Sequence, residues 1–293
     1  MITLPTITGL GTQWWVEVFD DISTEKAQTV YDDVRLFITK FEDRYSRFNP
    51  DSIISTLNAA HKFPNPDAET IEILEYGLSL YHDTHEVFNF LVGEAMEQSG
   101  YDALYSFTPK SESLTTPDPT HSLSITPEKL ILSVGQVDIG GYGKGYLIDL
   151  IALRLQQVHN LECFLINGGG DMYGTSDLGK PITIYLEHPS EANTYLKETT
   201  LLNEGFAAST TQKRRWENAG KVYTHIIDTK AGQSSQSGLA VFVKALSAKT
   251  ADAWATTLLI SAPENHTDMM TEKSIRAAIY DEQQKTLKYY GEF

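Results

Sequence analysis

The spacing of apolar residues changes character twice along the chain. Val30, Val34, Phe37 and Phe41 recur at intervals of four and three, so they share one face of a helix that reaches about Tyr45. Ser23 and Thr24, just ahead, are residues of the helix-capping type. Residues 13–19 are aromatic and β-branched and predict a strand. Arg47 to Ser52 is a turn that caps a short helix through Leu57 and Asn58. From Pro66 a second helical stripe runs through Ile71, Leu74, Leu78 and Tyr81. It breaks at Asp83–Thr84, resumes near Phe88 and is expected to end at Gly100.

Beyond Gly100 the rhythm shortens. Residues 130–134 predict a strand, 137–138 a short extended piece, and 140–145 a glycine turn. Residues 146–158 then read as a helix with Leu147, Leu150, Ile151 and Leu155 on one face. A buried strand over 163–166 runs into Asn167-Gly168-Gly169-Gly170-Asp171. Further strands are expected at 182–187, 199–202, 222–227 and 239–245. A helix begins near Ala248 and carries residues 251–260, and strands at 276–280 and 287–290 close the chain. There is no short-period repeat and no regular βαβ alternation, so the expected class is α+β with mostly antiparallel strands. Residues 1–293 are expected to form one catalytic unit.

Composition narrows the possible partners. With 41% hydrophobic residues the chain can build a sizeable core. Its net charge of −16 repels nucleic-acid phosphates and anionic lipid, so neither is an expected partner. A phosphate-bearing ligand would need a local positive field from a metal, a lysine or a helix N-terminus. The single cysteine, Cys163, opens an apolar run and reads as a small buried hydrophobe; no disulfide within the chain and no multi-cysteine zinc site can form. The first residues, Met1 to Pro5, lack a basic segment followed by an apolar stretch. The expectation is a cytoplasmic protein, or an exported one whose leader has been removed, with no membrane segment in this chain.

Four short stretches carry chemistry. In Asp138-Ile139-Gly140-Gly141-Tyr142-Gly143-Lys144-Gly145 a strand ends, glycines permit close backbone approach and a helix starts. A helix N-terminus and Lys144 suit a phosphate, and Asp138 suits a hydrogen-bonding edge of a heterocycle or sugar. The glycine spacing fits neither the dinucleotide fingerprint nor the P-loop, and a plain tight turn is the competing reading. Asp252 and Thr256 fall one turn apart on a helix and offer the hard oxygen ligands that Mg²⁺ prefers; a dipole-favoured Asp and a packed Thr are the alternative. His225 lies near the end of an apolar strand beside Asp228, where it could take a proton from a hydroxyl or simply be hydrogen-bonded in place. His82 and His85 could chelate zinc, but Asn89 stands where the full motif needs a second histidine, so a polar helix face is the better reading.

Taken in order, these stretches resemble the ApbE-type FAD:protein FMN transferases. The resemblance runs from Gly11-Thr12 through Ser46–Ser52 with Leu57-Asn58, then Val137–Gly141 with Gly143–Tyr146. It continues through Ile166–Gly169, His225–Asp228 with Gly232, and Ala251–Ala253 with Ala255-Thr256. It implies a two-lobed α+β fold related to the tunnelling fold. It also implies that Asp138 and Lys144 contact FAD, and that Leu10, Phe88, Asn89 and Ile226 line the flavin or adenine pocket. Gly141 through its carbonyl, Asp252 and Thr256 would hold Mg²⁺, and His225 would be the base. The implied reaction moves FMN from FAD to a Thr or Ser of a partner flavoprotein and releases AMP. An FAD pyrophosphatase and a flavin-binding protein without turnover are the alternatives. The chain departs from the family pattern at Glu86–Asn89, Ala208–Thr211 and Asp228–Gly232, all at pocket walls or loops.

Overall fold

The computed structural model describes residues 1–111, 113–176, 179–271 and 274–293. The first half contains strands β1 (Ile2–Thr3), β2 (Ile7–Gly9) and β3 (Thr12–Val18), then helices α1 (Thr24–Tyr45) and α2 (Ile53–Ala60). It continues with β4 (Lys62–Pro64), α3 (Ala68–Asp83), α4 (Gly93–Gln98), α5 (Pro119–Ser122), β5 (Leu123–Ile125), β6 (Lys129–Leu132) and α6 (Gly143–Gln157). The second half holds β7 (Phe164–Gly168), β8 (Asp171–Thr175), β9 (Ile182–Glu187), β10 (Tyr195–Leu201), β11 (Glu204–Thr210), β12 (Arg215–Asn218) and β13 (Lys221–Thr224). It ends with β14 (Ile227–Asp228), β15 (Gln233–Ser234), β16 (Leu239–Ala245), α7 (Ala248–Ile260), α8 (His266–Thr271), β17 (Arg276–Asp281) and β18 (Thr286–Tyr290).

Among the described residues nine strands share one sheet, in the order β1-β3-β7-β8-β11-β16-β17-β18 with β2 paired to β3. Its pairings are antiparallel, from Trp14 opposite Gly168 to Val243 opposite Ala277. This is the α+β arrangement expected. Apolar packing beneath the sheet divides in two. One cluster joins Trp14 and Val16 to Val30, Val34, Ile38 and Phe41 of α1 and to Leu147 and Ile151 of α6. The other joins Val241, Val243 and Ala277 to Ala251, Trp254 and Leu258 of α7. The sheet is continuous across the boundary, and the candidate site lies where α6 and α7 meet.

Local signals explain most element starts. The side chains of Ser23, Ser52 and Asp67 accept from the backbone N–H three residues on and cap α1, α2 and α3. Two expectations need correction. No helix resumes at Phe88, and only Gly93–Gln98 is helical before Gly100. His85 and Glu86 take left-handed φ of 51° and 66°, the Thr84 hydroxyl donates to the Leu80 carbonyl and accepts from Phe88 N, and Asn89 Oδ1 accepts from Leu91 N. These bonds offer the backbone a turn in place of a helix. The strand expected over 222–227 ends at Thr224, and Ile227–Asp228 pairs with Gln233–Ser234 instead. His225 therefore stands at a strand break.

Candidate functional site

The site is built on one close approach. A methyl group on Gly145, in the first turn of α6, would lie 2.3 Å from the Ala248 carbonyl oxygen; one on Gly205 of β11 would lie 2.3 Å from Ala248 N. Only residues without a side chain let these three backbones meet. Asp149 then accepts from Ala248 N at 2.8 Å and Lys249 N at 3.0 Å, which fastens the start of α7 to α6. Burial pushes the Asp149 carboxyl up to about 6, against the lowering effect of those two N–H donors.

This junction sets Asp252 and Thr256 of α7 against the glycine turn. Asp252 Oδ2 accepts from Gly145 N at 3.0 Å. A methyl on Gly141 would stand 2.9 Å from the Phe88 ring and 3.8 Å from Thr256 Cγ2, so the turn abuts Thr256. Thr257 bonds back to the Ala253 carbonyl, whereas the half-buried Thr256 hydroxyl has no hydrogen-bond partner among the described residues.

Lys144 is not a free cation. Its ammonium pairs with Asp171 Oδ2 and lies 3.3 Å from both oxygens of Asp252. Burial disfavours its charge, but Asp171 and Asp252 outweigh that and hold its pKa above the usual lysine range. Asp171 had no part in the sequence expectations. It enters through the turn between β7 and β8, where Gly169 and Gly170 take φ of 72° and 105° and Asn167 Oδ1 accepts from Gly170 N at 2.9 Å. Burial, with Asp252 nearby, raises the Asp171 carboxyl while Lys144 opposes it. A carboxylate directly after a glycine run was the signal available for it.

Asp138 is engaged by the protein on both oxygens. Oδ1 accepts from Gly140 N at 2.6 Å, and Oδ2 pairs with Arg47 Nε. Arg47 also donates to the Tyr101 carbonyl at 2.8 Å and lies 4.2 Å over the Phe48 ring. The free N–H donors expected at the start of α6 are largely used as well. Gly140 N goes to Asp138, Tyr142 N and Gly143 N to the Ile139 carbonyl, and Gly145 N to Asp252. The turn is thus an internally bonded frame rather than an open cradle for a phosphate.

His225 projects from its strand break beside Arg214. Its backbone N–H and its Nδ1 lie 3.3 and 3.4 Å from the Arg214 carbonyl. A carbonyl only accepts, so Nδ1 carries the hydrogen and Nε2 keeps the lone pair. The ring retains an exposed edge, yet burial of the rest, with Arg214 and Lys144 nearby, holds its pKa down to about 4. It is therefore neutral, the form a base requires. The Arg214 guanidinium reaches the Tyr101 hydroxyl at 3.4 Å and the Gly11 carbonyl at 3.3 Å. Among the described residues no carboxylate pairs with it. A Lys-Arg-Arg run at 213–215 in so acidic a chain was its sequence signal.

The expected pocket residues divide. Leu10 sits half-buried in the β2–β3 turn with φ of 52°, next to the Gly11 carbonyl that Arg214 reaches. Phe88, Asn89 and Ile226 are buried. Phe88 packs edge-on to Tyr142 and against Gly141, Asn89 Nδ2 donates to the Pro117 carbonyl at 2.9 Å, and Ile226 packs with Ala251 and Trp254. They frame the site more than they face it. An open cleft lined by Gln156, Asn160, Tyr173, Thr175 and Asn203 lies about 18 Å along α6 from Lys144 and is separate from this chemistry.

Whether these groups suit Mg²⁺ can be judged from the donors. Among the described residues no cluster of three or more His, Cys, Asp or Glu could hold a metal. The set available is mixed: the Asp252 carboxylate, the unpartnered Thr256 hydroxyl and the backbone of Gly141 beside it. These are hard oxygens, and Mg²⁺ commonly uses few protein ligands and fills the rest with water and phosphate. The residues fit that ion.

The chain matches the ApbE family over residues 10–279. It is 26% identical over 295 residues to a Klebsiella pneumoniae protein named FAD:protein FMN transferase, covering 92% of this chain and 81% of that one. A Haemophilus influenzae protein of the same name is 25% identical, with 92% and 83% covered. Among solved structures it resembles the apo flavinyl transferase ApbE of Pseudomonas stutzeri, with a TM-score of 0.80, 21% identity and 99% and 93% of the two chains covered. It also resembles the ApbE protein of Thermotoga maritima, with a TM-score of 0.79, 19% identity and 98% and 96% covered. With a match that spans nearly all of its length, from the β2–β3 turn through α6 and α7 to β17, the chain belongs to the ApbE family.

Proposed function

We propose that this chain is an FAD:protein FMN transferase that depends on Mg²⁺ and acts on a Thr or Ser hydroxyl of a partner flavoprotein. The observation that carries the reading is a neutral His225 that lies beside Arg214 and feels the charge of Lys144, whose ammonium is 3.3 Å from Asp252, one helical turn from the Thr256 hydroxyl. The names of its relatives support the same activity.

The acceptor hydroxyl attacks the FMN-side phosphorus of FAD. An O–P bond forms to the acceptor and the P–O bond to AMP breaks. His225 Nε2 takes the hydroxyl proton, and the Arg214 carbonyl on Nδ1 holds the ring in that tautomer. Arg214 adds positive charge beside the histidine, where phosphoryl transfer concentrates negative charge. Asp252, Thr256 and the Gly141 carbonyl would hold Mg²⁺, which when bound polarises the phosphoryl oxygens and offsets their charge. Leu10 and Asp138 would contact the flavin or adenine, and Arg47 would hold the Asp138 carboxylate in position.

The test is incubation with FAD and MgCl₂, with and without a Thr-containing acceptor peptide, scored by AMP release and peptide mass. AMP and a peptide heavier by FMN, both only with acceptor, are expected. AMP without acceptor means that water is the nucleophile and the protein is an FAD pyrophosphatase. FAD binding with no AMP in either case means a flavin-binding protein.

A further inference from the structure

Lys144, whose side chain is 26% exposed, bridges the buried carboxylates of Asp171 and Asp252, so the cluster holds one more negative charge than positive. The side chains of Asp171 and Asp252 are 4% and 7% exposed. The ammonium is shared unequally. It lies symmetrically 3.3 Å from both Asp252 oxygens and is closer to a single oxygen of Asp171. Each carboxylate has one other donor, Gly145 N on Asp252 at 3.0 Å and Ala208 N on Asp171 at 3.3 Å. Asp252 is thus claimed by two cations in turn: the lysine seen here, and the divalent ion of the function proposed above, on which this inference rests.

We propose that Asp171 is a positioning residue that holds Lys144 off Asp252 and so sets the affinity of the Asp252–Thr256 site for its divalent ion. A carboxylate already paired with an ammonium is a poor metal ligand, because the ion must first displace that ammonium, and a half-buried ammonium then needs another anion. Asp171 is that anion. Its tighter contact keeps Lys144 paired while Asp252 turns its oxygens to the metal. Without Asp171, Lys144 has Asp252 as its one remaining carboxylate at this point and competes with the ion directly. The ion then binds only the fraction of molecules in which Asp252 is free, and its apparent affinity falls by that fraction.

The experiment is calorimetric titration of FAD-free full-length protein with MgCl₂, so that no turnover is needed. Asp171→Asn is expected to weaken Mg²⁺ binding by about tenfold or more in the presence of Lys144. In a Lys144→Met background, with Lys144→Gln made in parallel so that at least one neutral variant folds, the same substitution should change binding by less than about threefold. Thermal melting without metal identifies the folded variants. Equal losses in both backgrounds would show that Asp171 acts only as a nearby negative charge, and no loss in either would show that it does not act on the metal site; both outcomes overturn the proposal. A parent protein that binds no Mg²⁺ at all overturns the metal reading itself, and with it this inference, and is distinguishable from the other two results.

Discussion

Arg47 and Asp138 form an ion pair in which the two side chains are 4% and 9% exposed, although 91 residues separate them along the chain. The pair ties the turn after α1 to the glycine turn before α6. Arg47 also lies 3.9 Å from Glu97, whereas Asp138 has no second cation among the described residues, so removing Arg47 leaves the Asp138 carboxylate buried and unmatched. Arg47→Ala should therefore cost about 3–5 kcal/mol in urea unfolding, and Arg47→Met combined with Asp138→Asn should cost much less. A loss under about 1 kcal/mol for the single variant would place the pair among weak surface bridges.

Asp252→Asn and Thr256→Ala should each reduce Mg²⁺-dependent AMP release far more than they reduce FAD binding. The reason is geometric: the two donors share one face of α7, and the Thr256 hydroxyl has no partner among the described residues to lose. Assays at limiting MgCl₂ decide this, and unchanged turnover in both variants would remove the metal from α7.

His225→Ala should lower transfer by about 10²–10⁴-fold while folding and FAD binding persist, the usual contribution of a positioned base. Because the His225 pKa is held down to about 4, the imidazole is neutral above that value and protonated below it. Activity thus falls as pH drops through about 4, not through the ordinary histidine range near 6.5. The profile of kcat/KM, which reports the free enzyme, shows the position of this limb; a limb at the ordinary value would mean that burial, with Arg214 and Lys144 nearby, does not hold the ring neutral.

Arg214→Gln should weaken FAD about tenfold or more and leave riboflavin, which carries no phosphate, nearly unchanged, as expected for loss of a charge-assisted hydrogen bond. Arg214 reaches two neutral oxygens at 3.3 and 3.4 Å and lies beside His225, so its charge remains available. Fluorescence titration of both ligands tests this; equal losses would assign Arg214 to the flavin ring or to the fold.

Much of this could be read from single segments. Leu239–Ala245 is buried along its whole length and appears in the sequence as a strand of five apolar residues closed by Lys244 and Ala245, with its observed ends. Asp252 and Thr256 were found because a helix converts a spacing of four into a shared face. What escaped were features decided by contact between distant segments. Glu204–Thr210 is rich in Gly and Ala, which are weak strand formers, and the structure shows that Gly205 is small to admit Ala248. The turn at Thr84–Phe88 hides inside a helical stripe because one hydroxyl redirects two backbone groups. Lys144 looked like a free cation because its partners, Asp171 and Asp252, lie 27 and 108 residues away. No local pattern reports that its charge is already matched.

The contact at Ala248 also bears on motion. With Gly145 on its carbonyl side, Gly205 on its amide side and Asp149 holding its N–H, the first turn of α7 has nowhere to shift unless α6 and β11 shift with it. Protons on the amides of Gly145, Ala248 and Lys249 should consequently exchange with solvent deuterium together, as one cooperative opening, rather than by fraying of either helix end. Lys144 on α6 and the Asp252 and Thr256 oxygens on α7 would then open and close as a unit, at a rate set by the separation of three backbones and not by the swing of any side chain.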